Sequence, residues 1–346
     1  MYSKLIDLRS DTVTFPTQEM RKAMYEAEIG DDVYGEDPTV NLLQERMAEQ
    51  AGKEAGLFVS SGTQGNLISI LTQTNRGDEV LLGDQSHIFN YEAGGISVLG
   101  GLVMFPIANN VSGGFDIEVI SSGVNPLDNH RPKTRLLCIE NSHAESSGQI
   151  LNSEQINIIA REAEINNLKL HIDGARLFNA AVALNVPLAT LSQKADSVSI
   201  CLSKGLSCPM GSIVCGDSNF IEEAGRWRKM LGGGCRQIGV VAAAGLVALD
   251  SMVERLSEDH ENAKVLAQFL CETVNVNLNI NTIHTNIIKF TVKDGLLNEF
   301  VGLLREANIL VGVRPPYVRM VTHYGITLKE INYVKKAITN IMRQLG

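Results

Sequence analysis

Asp173 closes an apolar run, Leu170-His171-Ile172-Asp173-Gly174-Ala175-Arg176, and Lys204 follows another in Leu202-Ser203-Lys204-Gly205. A carboxylate and an amine set just after two strands are the pair with which a protein can hold a pyridoxal phosphate ring from both sides. The amine forms a Schiff base with the aldehyde, and the carboxylate keeps the pyridine nitrogen protonated so that the ring accepts electrons. Each signal also has a plainer reading: Asp-Gly is a common turn and a lone lysine is usually solvated. The weight therefore falls on what accompanies them.

Ser60-Ser61-Gly62-Thr63-Gln64-Gly65-Asn66 leads from a short apolar strand into a helical pattern. Small residues there leave backbone amides free at a helix N-terminus, where the dipole also favours an anion such as phosphate. His87 follows Gly83-Asp84-Gln85-Ser86 and His143 follows Glu140-Asn141-Ser142, each just past a strand end. At that edge of a parallel sheet side chains reach the ligand crevice. A flat imidazole can stack on a pyridine ring and exchange protons near neutral pH. His171 shares a strand face with Asp173, because side chains alternate, and is read either as a support for that carboxylate or as a satisfied core residue.

The elements that must position these groups alternate. Short apolar runs at Leu57-Phe58-Val59, Glu79 to Gly83, Leu102 to Phe105, Arg135 to Glu140, Leu168 to Asp173, Ser197 to Leu202 and Ser212 to Cys215 are separated by helical patterns. One such helix is predicted from Glu154 to Asn166 with Ser153 as its cap. The alternation predicts an α/β fold with a mostly parallel central sheet buried on both faces. Beyond Ala242 a long helical region toward Phe269 gives way to strands near 286–292, 309–313 and 318–321 and a helix near 296–307. This is a small C-terminal α+β domain. The expected division is 1–250 for the large domain, with an irregular N-terminal arm of about 35 residues lying over the domain junction, and 251–346 for the small one.

The 346 residues carry a formal charge of −9 with no basic run, which argues against nucleic acid or an anionic membrane as the main partner and favours a small molecule. No apolar run is long enough to span a bilayer, and the charged start meets no apolar leader segment, so a cytoplasmic protein is expected. The six cysteines form no CxxC pair and the histidines no ligand pattern, so no metal site is expected.

Several segments in register carry a resemblance: Leu8-Arg9-Ser10-Asp11-Thr12-Val13-Thr14, Gly30-Asp31-Asp32-Val33-Tyr34-Gly35, the Ser61-Gly62-Thr63-Gln64 turn, His171 to Arg176, Leu202 to Gly205, Arg226-Trp227-Arg228-Lys229 and Gly232-Gly233-Gly234-Cys235-Arg236-Gln237. Together they resemble the low-specificity L-threonine aldolases, in the fold type I, aminotransferase-like class of pyridoxal 5'-phosphate enzymes. The resemblance implies that Lys204 holds the cofactor aldehyde, Asp173 pairs with the pyridine nitrogen and His87 stacks on the ring. It implies that Ser61, Gly62 and Thr63 bind phosphate, and that Arg176 lies between the cofactor's phenolic oxygen and the substrate carboxylate. Ser10, Tyr34 and Arg319 match substrate-binding positions. Lys229 and Arg236 match basic residues that reach the site from a neighbouring subunit, so a homotetramer built from dimers is expected.

The implied reaction is reversible retro-aldol cleavage of a β-hydroxy-α-amino acid, L-threonine or L-allo-threonine, to glycine and acetaldehyde. His87 or His143, directly or through a water, is the candidate base. The segment Glu140-Asn141-Ser142-His143-Ala144-Glu145-Ser146-Ser147-Gly148 departs from the family, in which asparagine-threonine-histidine is commonly followed by asparagine or cysteine. That bears on substrate preference more than on reaction type. Other readings are a β-eliminating lyase or an aminotransferase on the same cofactor, and a cofactor-binding protein without catalysis.

Overall fold

The structure, a computed structural model, describes residues 5–346. Seven strands make the larger sheet: β2 (Ala55–Val59), β3 (Glu79–Gly83), β4 (Val103–Ile107), β5 (Thr134–Glu140), β6 (Lys169–Gly174), β7 (Ser197–Cys201) and β8 (Ser212–Gly216). Their order is β2-β8-β7-β6-β5-β3-β4, and every pair is parallel except those made by β8, which runs against both neighbours. Strands β3, β7 and β8 are buried along their whole length. Helices cover both faces, which is why these strands read as unbroken apolar runs rather than as alternating ones.

The register sets the chemistry. Cys138 pairs with His171 and His171 with Ser197, and two residues on Glu140 pairs with Asp173 and Asp173 with Ser199. The carboxyl ends of β3, β5, β6 and β7 therefore deliver His87, Glu140, Asp173 and Lys204 to one edge, the usual ligand crevice of an open α/β sheet.

The smaller sheet has the order β1-β11-β12-β10-β9, from β1 (Ile6–Leu8), β9 (Val276–Asn277), β10 (Ile287–Val292), β11 (Ile309–Arg314) and β12 (Tyr317–Val321). Its core joins Ile6 and Leu8 to Phe290, Phe300 and Val334. The N-terminal segment thus differs from a simple part of the large domain: β1 pairs in parallel with β11, while Met20, on the helix Gln18–Glu26, sits in the core of the large sheet. Two buried apolar residues in a three-residue strand are enough to bind it to whichever sheet offers a free edge.

Two local expectations are corrected. The helix Ser153–Ile165 is capped by Asn152, not Ser153: the Asn152 side chain accepts from the Gln155 amide, and the Gln155 side chain accepts from the Asn152 amide. The long helical region past Ala242 is two helices, Gly239–Ser251 and Leu256–Cys271. All six cysteines are free thiols, four of them buried, and burial pushes Cys208 and Cys215 up to about 12, where they are unreactive.

Candidate active site

A cavity of about 100 Å³ opens at the carboxyl edge of the large sheet, with Lys204, His87, Ser10, Arg176 and Arg319 among its lining residues. Residues from the N-terminal segment, β12 and four strand ends meet there, which no single segment could arrange.

Behind it lies a chain of buried neutral donors that ends on Asp173. Gln73 Nε2 donates to Ser197 Oγ at 2.8 Å, and Ser197 Oγ lies 2.8 Å from His171 Nδ1. His171 Nε2 lies 3.1 Å from Asn66 Oδ1, and Asn66 Nδ2 donates to Asp173 Oδ2 at 2.9 Å. Burial lowers the His171 imidazole to about 4, so it is neutral. Its Nε2 must then carry the proton for the amide oxygen, and Nδ1 takes the serine hydroxyl proton. His171 is therefore a satisfied core residue that also supports Asp173, through Asn66. The other Asp173 oxygen accepts from the Ala175 amide at 3.1 Å. Among the described residues no lysine or arginine pairs with this carboxylate, which is 3 % exposed. A buried anion held only by neutral groups lacks a cationic partner, and a protonated pyridine nitrogen is the partner that such a site accommodates.

His87 begins the short helix His87–Tyr91; its amide donates to Glu140 Oε2 and its Nδ1 lies 2.9 Å from Glu92 Oε1. The hydrogen bond to Glu92 raises the His87 imidazole above its ordinary value. Burial raises the Glu92 carboxyl in turn. His87, Glu92 and Asp173 place ligating atoms within 4.8 Å of one another. Asn66 Nδ2 also donates to Glu92 Oε1 at 2.8 Å, so amide and imidazole share that oxygen, while the buried Glu92 Oε2 has no hydrogen-bond partner among the described residues.

His143 is placed differently. It is fully buried and absent from the cavity lining; its Nδ1 accepts from the Ser146 amide at 3.2 Å, and its Nε2 stands 3.9 Å from Glu140 Oε2.

Arg176 is committed to Asp11 in a two-pronged ion pair, Nε to Oδ2 at 2.7 Å and Nη2 to Oδ1 at 2.6 Å, with both side chains buried. Burial would raise the Asp11 carboxyl, but Arg176 and the nearby Lys204 and Asn286 outweigh it and hold Asp11 well below the usual range. Arg319 has no such partner. It donates to the Arg9 carbonyl at 3.1 Å, no carboxylate among the described residues pairs with it, and burial beside Arg176 and Arg314 lowers it to about 10.

The Ser61 hydroxyl accepts from the Gln64 amide and caps the helix Gly62–Gln73. The amides of Gly62 and Thr63 precede the first intrahelical donor, the Gly65 amide, and so have no acceptor within the helix, as at any helix start. A Cβ on Gly62 would stand 2.7 Å from Cys201 Sγ, so this turn takes no side chain at that point. Tyr34, Lys229 and Arg236 lie off the cavity: Tyr34 is 74 % exposed, and Arg236 pairs with Asp31 at 3.0 Å and sits 5.8 Å above the Tyr34 ring. Asn66, Glu92, the Glu140 side chain and Asp11 as the partner of Arg176 join the site only in the folded structure. A polar residue within an apolar helical run was the one available signal for Asn66.

This architecture and site define an α/β lyase class: residues 7–293 match the model of the beta-eliminating lyase family. The chain is 45 % identical to low-specificity L-threonine aldolase 1 of Arabidopsis thaliana, over 99 % of this chain and 98 % of the relative. It is 42 % identical to the low specificity L-threonine aldolase of Escherichia coli strain K12, over 94 % and 96 %. The solved structure of a putative L-allo-threonine aldolase from Listeria monocytogenes superposes with a TM-score of 0.81 at 19 % identity, covering 98 % of this chain and 97 % of that one, and so shares the fold. The chain belongs to the low-specificity L-threonine aldolase family.

Proposed function

We infer that this chain is a pyridoxal 5'-phosphate-dependent aldehyde-lyase that cleaves L-threonine and L-allo-threonine to glycine and acetaldehyde and runs the aldol condensation in reverse. The observation that carries the reading is the cavity shared by Lys204, His87 and the unpaired Arg319, with an oxygen of the cation-less Asp173 carboxylate within 4.8 Å of a His87 ring nitrogen. When bound, the cofactor supplies an aldehyde that condenses with amines and a ring that accepts the electron pair released from a bond to Cα.

The residues divide the remaining work. Lys204 is the amine for the aldehyde, and Asp173, held by Asn66, keeps the proton on the pyridine nitrogen. Ser61 and the amides of Gly62 and Thr63 take the phosphate. Arg319 takes the substrate carboxylate beside Ser10. That anchor would fix how the bonds to the substrate's Cα are oriented in the cavity. Arg176, neutralised by Asp11, contributes fixed donors rather than a free charge. For His87, the bond from Nδ1–H to Glu92 leaves Nε2 as the nitrogen with a lone pair, suited to receive the β-hydroxyl proton as the Cα–Cβ electrons leave and the carbonyl forms. Its place on the cavity wall favours His87 over the buried His143. Acceptance of both diastereomers follows if the hydroxyl is met by this one group alone.

The reading extends to a cytoplasmic homotetramer in which Lys229, Arg236 and Tyr34 serve a neighbouring subunit's site. Their exposure away from the cavity of their own chain supports this. The test is an aldehyde-coupled assay of the purified protein with the cofactor and each L-diastereomer. Acetaldehyde from both is expected, and acetaldehyde from neither overturns the reading.

A further inference from the structure

The loop after His143 brings an acid into the cavity. Glu145 lines the same space as Lys204 and Arg319. Its Oε1 is ion-paired with Arg314, whose guanidinium lies 4.2 Å above the Tyr91 ring. Its Oε2 stands 3.5 Å from Lys289 Nζ, which also donates to the Glu145 carbonyl at 2.8 Å and lies 4.4 Å over the Tyr317 ring.

The loop is pinned. The His143 amide donates to the Gln149 carbonyl at 2.8 Å, the Ala144 amide to Glu140 Oε1 at 2.9 Å, and Thr285 Oγ1 to the Gly148 carbonyl at 3.1 Å. Gly148 has φ +71°, and a Cβ there would meet Thr285 Oγ1 at 2.2 Å, so the loop is seated closely on the smaller sheet. Glu145 is thus a held carboxylate between two cations, each resting on an aromatic face.

Charge accounting around the cavity then has one outcome. Of its three arginines, Arg176 is neutralised by Asp11 and Arg314 by Glu145, which leaves Arg319 alone for a substrate anion. We propose that Glu145 determines substrate specificity: by occupying Arg314 and Lys289 it denies them to an anionic β-substituent, so the cavity selects β-hydroxy-α-amino acids whose β-substituent is uncharged. A second carboxylate on the substrate would have to displace Glu145 or stand beside it, and adjacent like charges repel in a partly dehydrated cavity.

This rests on the aldolase reading above. The experiment compares L-threonine with the L-3-hydroxyaspartates, whose Cα–Cβ cleavage gives glycine and glyoxylate, by measuring glycine release from both with the cofactor-loaded enzyme. Wild-type kcat/KM should be lower for 3-hydroxyaspartate than for threonine. In Glu145→Gln the ratio should shift toward 3-hydroxyaspartate by about tenfold or more, the worth of one charge-assisted hydrogen bond. Glu145→Asp should keep a ratio close to the wild type's. A wild type that cleaves 3-hydroxyaspartate as well as threonine overturns the proposal whatever the variants do. So does a Glu145→Gln ratio that stays put, and Glu145→Ser is the substitute if the glutamine variant fails to fold. No glycine from threonine in the wild type would instead overturn the aldolase reading itself.

Discussion

Asn66 and Asp173 are joined by a 2.9 Å hydrogen bond that makes a neutral amide, rather than a cation, the partner of this buried carboxylate. The same amide holds Glu92 and, through its oxygen, His171. Asn66→Ala should leave several buried polar groups unpaired and cost about 1–3 kcal/mol for each group not rescued by water. Urea unfolding of the cofactor-free protein reads this directly, and an unchanged midpoint with unchanged kcat would show that the network is dispensable.

Asp11→Asn removes the anion from a buried guanidinium, which should destabilise the fold by about 3–5 kcal/mol at neutral pH. The sign with pH follows from the depressed folded-state value of Asp11. Its contribution is complete above the unfolded carboxyl value of about 3.9 and is lost as pH falls through the lower folded value. Guanidinium midpoints of wild type and variant should therefore differ widely at neutral pH and converge in strong acid; curves that coincide at neutral pH would refute the argument.

Glu92 raises the His87 imidazole, so the wild-type kcat/KM should rise with pH through a value above the ordinary histidine value of about 6.5. Glu92→Gln keeps an acceptor oxygen but removes the charge. The acidic limb of the profile should move to lower pH. A limb that stays in place would mean that a group other than His87 titrates there.

Gly62→Ala would set a methyl group 2.7 Å from Cys201 Sγ. Overpacking of roughly 1–3 kcal/mol at the phosphate turn should weaken cofactor binding by about tenfold or more. The double variant Gly62→Ala, Cys201→Ala should recover much of it, since the two changes share one space. Equal cofactor Kd in wild type and Gly62→Ala would place the phosphate elsewhere.

The sequence alone singled out Lys204, Asp173, His87 and the Ser61-Gly62-Thr63 turn as candidates, because each is a local signal: a polar group at the end of an apolar strand, or small residues at a helix start. The inner strands of the large sheet were legible for the same reason, since burial on both faces leaves an unbroken apolar run, whereas the edge strand β4 is apolar although Val103 and Phe105 are exposed. Tertiary structure decided the partners. Asn66 meets Asp173 across 107 residues and Asp11 meets Arg176 across 165, separations over which no pattern in the chain specifies a pairing. It also decided that β8 runs antiparallel and that β1 joins the distant smaller sheet, because strand direction and edge choice depend on which hydrogen-bonding edge the rest of the fold leaves open. Lastly, it separated two histidines that the sequence presents alike: His87 reaches the cavity while His143 is enclosed by its own loop, a difference set by packing and not by residue type.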